Sequence, residues 1–150
     1  MITRGQLIRL LDTRRIEEAL REAEKRTSGE IRVSVAPFFW GSVKHAAERA
    51  FERLGMTATR DRNGILFFVV PSRKRFTILG DAGIHAKVGQ AFWEELAALL
   101  SKHFHEKDFN GGLTAAILRA GERLAEHFPH AGEKDVNELP DHVDFGPDGP

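Results

Sequence analysis

Apolar residues recur at helical spacing from Leu7 through Leu10, Leu11, Ile16, Ala19 and Leu20 to Ala23, with Arg and Glu filling the positions between them. The stripe predicts an amphipathic helix, or two joined near Asp12, a residue suited to cap the second. The pattern stops near Arg26, and Gly29 is expected to take positive φ at the helix end. From Glu30 to Val35 polar and apolar residues alternate with period two, which reads as a strand closed by Pro37. A second helical stripe runs through Val43, Ala46, Ala47, Ala50, Phe51 and Leu54, with Ser42 as N-cap and Gly55 as C-cap.

Ile65 to Val70 is continuously apolar between Asn63-Gly64 and Pro71, as expected of a central strand covered on both faces. Ser72-Arg73-Lys74 separates it from Arg75 to Leu79, so these two runs should form a hairpin. Two more amphipathic helices follow over 90–106 and 111–128, linked by Lys107 to Asn110, with Asn110 as a cap. After Pro129 the periodicity is lost. Residues 129–150 hold six acids against one lysine, which predicts a flexible acidic tail of charge −5 behind a domain of residues 1–128 at +5.

This order of elements implies a topology. The first two strands, joined through a helix, should run parallel with a right-handed crossover, and the third should run antiparallel to the second. Helices on both faces of a small mixed sheet make this an α/β fold.

With 150 residues, 41% of them hydrophobic, the chain has material for one core. Twenty-two basic residues balance twenty-two acidic ones, so no overall electrostatic drive toward nucleic acid or anionic lipid exists. Cysteine is missing, which excludes disulfides, thiolate zinc sites and a cysteine nucleophile. No apolar run approaches the roughly 20 residues that cross a bilayer. The N-terminal residues also lack the apolar core of a signal peptide, so a cytoplasmic protein without membrane insertion is expected.

Candidate chemistry follows from the topology. The starts of the first two strands and the end of the third share one rim, which gathers Glu30, Asp61, Asn63 and Asp81. Their oxygens suit calcium or magnesium, and Gly64, Gly80 and Gly83 would let backbone carbonyls turn inward. Asp61-Arg62-Asn63-Gly64 equally suits an ordinary turn. Asp108, in the polar loop Asp108-Phe109-Asn110-Gly111-Gly112, is a further candidate calcium ligand. The opposite rim carries Phe38, Phe39 and Trp40 together with Arg73-Lys74-Arg75, a surface for a partner without the extended basic stripe of a nucleic-acid site. His103-x-His105 lies two apart on a helix, about 200° around its axis, and cannot chelate one ion. No nucleophile elbow, P-loop, dinucleotide fingerprint or His-Glu-x-x-His motif is present.

Thr27-Ser28-Gly29-Glu30-Ile31-Arg32-Val33, Leu54-Gly55-Met56, Arg62-Asn63-Gly64-Ile65-Leu66-Phe67-Phe68-Val69 and Ile78-Leu79-Gly80-Asp81-Ala82-Gly83-Ile84, in this order and with Asp108 to Leu113 after them, resemble the TPM domain. The resemblance covers about residues 10 to 128. It implies a three-layer α/β/α sandwich, calcium binding at loops on one edge, and the acid phosphatase activity proposed for relatives of the thylakoid lumen. The chain departs from the family pattern at two places. Arg62 stands where members often have the first Asp of Asp-Asn-Gly, and His85 where they have the Glu of Gly-x-Gly-x-Glu. The resemblance and the rim residues together lead to three expectations. The first is a stand-alone calcium-binding module using Glu30, Asp61, Asn63, Asp81 and Asp108. The second is a protein-interaction module using the aromatic loop and the acidic tail, whose Val136, Leu139, Val143 and Phe145 could order on a partner. The third is a weak metal-dependent phosphatase acting on phosphomonoesters.

Overall fold

A computed structural model describes residues 3–130 and 142–146. Thr3 and Gln6 form a reciprocal capping box at the start of α1 (Arg4–Leu10), and Asp12 caps α2 (Thr13–Glu24) by accepting the Arg15 N–H. The leading stripe therefore breaks into two helices at Asp12. β1 (Glu30–Val35), α3 (Val43–Arg53), β2 (Gly64–Val70) and β3 (Arg75–Gly80) follow. A short helix, α4 (Ala82–His85), precedes α5 (Gln90–His105) and α6 (Phe109–Leu124).

The sheet order is β1-β2-β3. β1 and β2 run parallel with Glu30 opposite Gly64, and β2 and β3 run antiparallel with Ile65 opposite Gly80. Because side chains alternate along β2, its two apolar sets point into different cores. Ile65, Phe67 and Val69 meet α1, α2, α5 and α6, while Leu66, Phe68 and Val70 meet α3 and Met56. This is the three-layer α/β/α sandwich.

Three local expectations are corrected. Among the described glycines positive φ falls on Gly41, Gly55 and Gly146 but not on Gly29. Gly29 is required by close approach instead, since a β-carbon there would lie 2.9 Å from Leu124 Cδ1. Asn110 does not cap α6. Asp108 does, accepting the Gly111 N–H, while the Asn110 amide oxygen accepts the Asp12 N–H and ties the starts of α2 and α6 together. Residues 142–146 do not trail from the domain as a flexible tail. Val143 and Phe145 are 6% and 7% exposed and join the larger core.

Asp144 explains that docking. Its N–H donates to the Val33 carbonyl at 2.9 Å and its carbonyl accepts from the Val35 N–H at 2.8 Å, so the segment occupies the free edge of β1. Its carboxylate accepts from the Ser34 hydroxyl and from both terminal nitrogens of Arg53. Burial alone would raise the Asp144 pKa, but the Arg53 and Ser34 hydrogen bonds, the Arg53 charge and the Gly146 backbone outweigh it and hold the carboxyl below its ordinary range. Val136 and Leu139 lie outside the described residues. No described helix is long and apolar enough to cross a membrane.

Candidate functional site

The register places the starts of β1 and β2 and the end of β3 at one rim, and backbone hydrogen bonds lace the loops there. Glu30 N–H donates to the Asn63 carbonyl, Asp81 N–H to Gly64 and Gly83 N–H to Arg62. Arg62, not Asn63 or Gly64, takes the left-handed conformation, with φ of 50°. Its guanidinium meets Asp81 as a fork: Nε–H donates to Oδ2 at 2.6 Å and the Nη2 group to Oδ1 at 2.8 Å. Asp81 Oδ1 also accepts the Ala82 N–H at 2.8 Å and so caps α4. Bidentate geometry makes this a strong and oriented pair.

The Asp81 carboxyl is buried, which pushes its pKa up. The Arg62 hydrogen bonds, the Ala82 N–H and the charges of Arg62 and His85 prevail and hold it below the ordinary value. A folded pKa below the unfolded one near 3.9 means that ionised Asp81 stabilises the fold above about pH 4, and that this contribution is lost as pH falls through the lowered value. Arg62→Gln removes what opposes burial. The variant is expected to melt below the wild type at pH 7, and the gap in Tm should close as pH falls below about 4. A gap that stays constant down to pH 2 would show that the pair carries no linkage.

The other expected ligands are not gathered around Asp81. Asp61 is exposed, with its carboxylate 3.7 Å from the Arg60 guanidinium. Glu30 is only 3% exposed and Asn63 1%. Among the described residues neither polar atom of the Asn63 amide has a hydrogen-bond partner. Asp108 caps the start of α6, whereas Gly29, one residue before Glu30, touches Leu124 at its end. That places Asp108 about 24 Å away along the helix, and it is corrected as a member of this set. Among the described residues no group of three or more His, Cys, Asp or Glu could hold a metal. Calcium needs six to eight oxygens and a surplus of negative charge. With both Asp81 oxygens engaged by a guanidinium, the residues present do not fit a preformed calcium cage.

Beside the rim a groove of about 370 Å³ lies between α3 and the outer edge of β3, lined by Lys44, Glu48, Glu52, Thr57, Asp81 and His85. The His85 ring stacks on Trp93 at 5.1 Å between centroids. The profile of the TPM domain matches residues 3–123. The chain belongs to the TPM domain family. This TPM domain is similar to the BA42 protein of the psychrophilic bacterium Bizionia argentinensis, with 36% identity and a TM-score of 0.85 over 89% of this chain and 92% of that one. Two further solved structures share the fold. They are the N-terminal domain of cg2496 from Corynebacterium glutamicum (13% identity, TM-score 0.58, covering 87% of this chain and 75% of that one) and an N-terminal domain from P. gingivalis (16%, 0.60, covering 77% and 76%). No curated protein matches this TPM domain.

Sequence reading missed Lys44, Glu48 and Glu52 in the groove. Their spacing of four along the polar side of α3 was the available signal, since such residues stack in one row. Read as a solvated helix surface, the row gave no hint that β3 would run beneath it.

Proposed function

We propose that this TPM domain is a binding module that engages a protein partner through the loop between β1 and α3, and that it does so without a divalent ion. The observation that carries the reading is the state of the loop aromatics. Trp40 is 78% exposed and Phe38 39%, and their rings meet edge to face at 5.7 Å. Phe39, between them, turns inward against the smaller core, with the Arg73 guanidinium 5.9 Å from its ring centroid. The anchored Phe39 fixes the loop, so the outer pair is presented to solvent on a held backbone, and rigid exposed aromatics make strong interface anchors.

At the other rim the Arg62 guanidinium joins the loop before β2 to the start of α4, the structural task a bridging cation would perform. The calcium and phosphatase readings both depend on Asp61 and Asp81. The engagement of Asp81 by Arg62 favours binding over either, because a divalent ion would have to displace a fixed cation. The test is affinity capture from extract of the native cells, comparing wild type with Phe38→Ala/Trp40→Ala, with and without calcium. A specific protein held by the wild type in both conditions and lost by the double variant, at unchanged Tm, is expected. Identical captured sets from both proteins would overturn the loop reading, and capture that needs calcium would overturn the metal-independent one.

A further inference from the structure

A cavity of about 580 Å³ opens at the carboxyl end of β1, between that strand, α3 and the docked segment 142–146. Its walls are apolar: Val35, Ala46, Ala50, Phe68 and Phe145 line it and are each at most 9% exposed. The charged side chains that line it are of one sign. Arg4, Arg49 and Arg53 all border it, and among the described residues the one carboxylate bound to them is Asp144, on Arg53. Arg4 directs Nε to the Phe145 carbonyl. Arg49 stands one helical turn before Arg53 on α3 and, among the described residues, makes no hydrogen bond or ion pair. Two guanidiniums four residues apart on a helix face the same way, and each presents the planar donor fork that fits a carboxylate or a phosphate.

The size falls in the range of small-molecule pockets, roughly 300–1,000 Å³, which combine apolar walls with a few convergent polar groups. The position also agrees with the tendency of open α/β sheets to take ligands beyond the carboxyl ends of parallel strands. We propose that this cavity is a binding site for a small amphiphilic anion, a molecule whose aromatic or short acyl body lies against Ala46, Ala50, Phe68 and Phe145 while its carboxylate or phosphate meets Arg49 and the outer face of Arg53. The site is separate from the rim of Asp81; Phe38 of the exposed aromatic pair also borders it, whereas Arg49 and Arg53, which would hold the anion, take no part in the protein-partner reading.

The test is amide NMR titration of the full chain with phenylbutyrate and with phenyl phosphate, beside phenylbutanamide and inorganic phosphate. Saturable shifts at Val35, Ala36, Ala46 and Ala50 are expected with the two amphiphilic anions, and the tighter of the two identifies the head group. Arg49→Glu, a change at an exposed position, should weaken binding by at least about tenfold, and Ala46→Leu, which fills the cavity, should abolish it. Four results would overturn the proposal: no saturable shift with either anion up to about 10 mM, equal binding of the neutral amide, the same shifts from inorganic phosphate alone, or wild-type affinity in Arg49→Glu.

Discussion

Gly83→Ala is expected to destabilise the domain by about 3 kcal/mol, at the upper end for an overpacked position. A β-carbon there would lie 2.2 Å from the Asp61 carbonyl oxygen and 2.6 Å from that of Arg62. Both are backbone atoms of the loop that carries Arg62, so no side-chain rotation relieves the clash, and the Gly83 N–H bond to the Arg62 carbonyl at 2.8 Å must stretch with it. Alanine is favoured over glycine inside a helix by about 1 kcal/mol, which is too little to offset the displacement. At Gly80 the near atoms, 2.2 and 2.8 Å away, belong to the half-buried Trp93 ring, which can swing, and Gly80→Ala should cost less. Thermal unfolding checks the difference: Gly83→Ala should lower Tm by about 10 °C. A Tm within 2 °C of wild type would mean that the Arg62 loop does not abut α4.

Phe145→Ala is expected to cost about 2–3 kcal/mol, somewhat below the usual range for a buried phenylalanine because the terminal segment can detach before the rest of the core opens. Hydrogen exchange gives the sharper readout. The Val35 amide donates to Asp144, so it should lose protection in the variant, while amides between β1 and β2 keep theirs. A change within about 0.5 kcal/mol, the size typical of exposed positions, together with unaltered exchange at Val35 would leave residues 142–146 as an undocked tail.

The fold was readable because its elements are long enough to display a period. β2 declares itself by a six-residue apolar run, and Asp12 interrupts the leading stripe at the residue where one helix ends and the next is capped. α4 has four residues, barely one turn, and no period can be read from so short a segment. Val143-Asp144-Phe145 does alternate like a strand, but three residues among prolines and acids do not announce that β1 has an open edge to receive them. At the site, chain order predicts that Glu30, Asp61, Asn63 and Asp81 share a rim. It could not reveal that Arg62 would adopt positive φ and take the carboxylate, because Asn63-Gly64 carried the stronger turn signal. Asp108 was misplaced for a related reason: a loop between two helices can lie at either end of the sheet, and only the packing of α6 against α2 decides which.

The arginine-held junction is tested most directly by amide NMR of the full chain titrated with calcium, wild type beside Arg62→Asp. In the wild type the signals of Asn63, Gly64 and Gly80 to Gly83 should stay in place up to about 5 mM calcium, above the range of weak extracellular calcium modules. Arg62→Asp removes the cation, frees the Asp81 carboxylate and creates Asp-Asn-Gly, and it should gain saturable shifts at these residues. Saturable movement of the same signals in the wild type at millimolar calcium would contradict a junction closed by the Arg62–Asp81 pair.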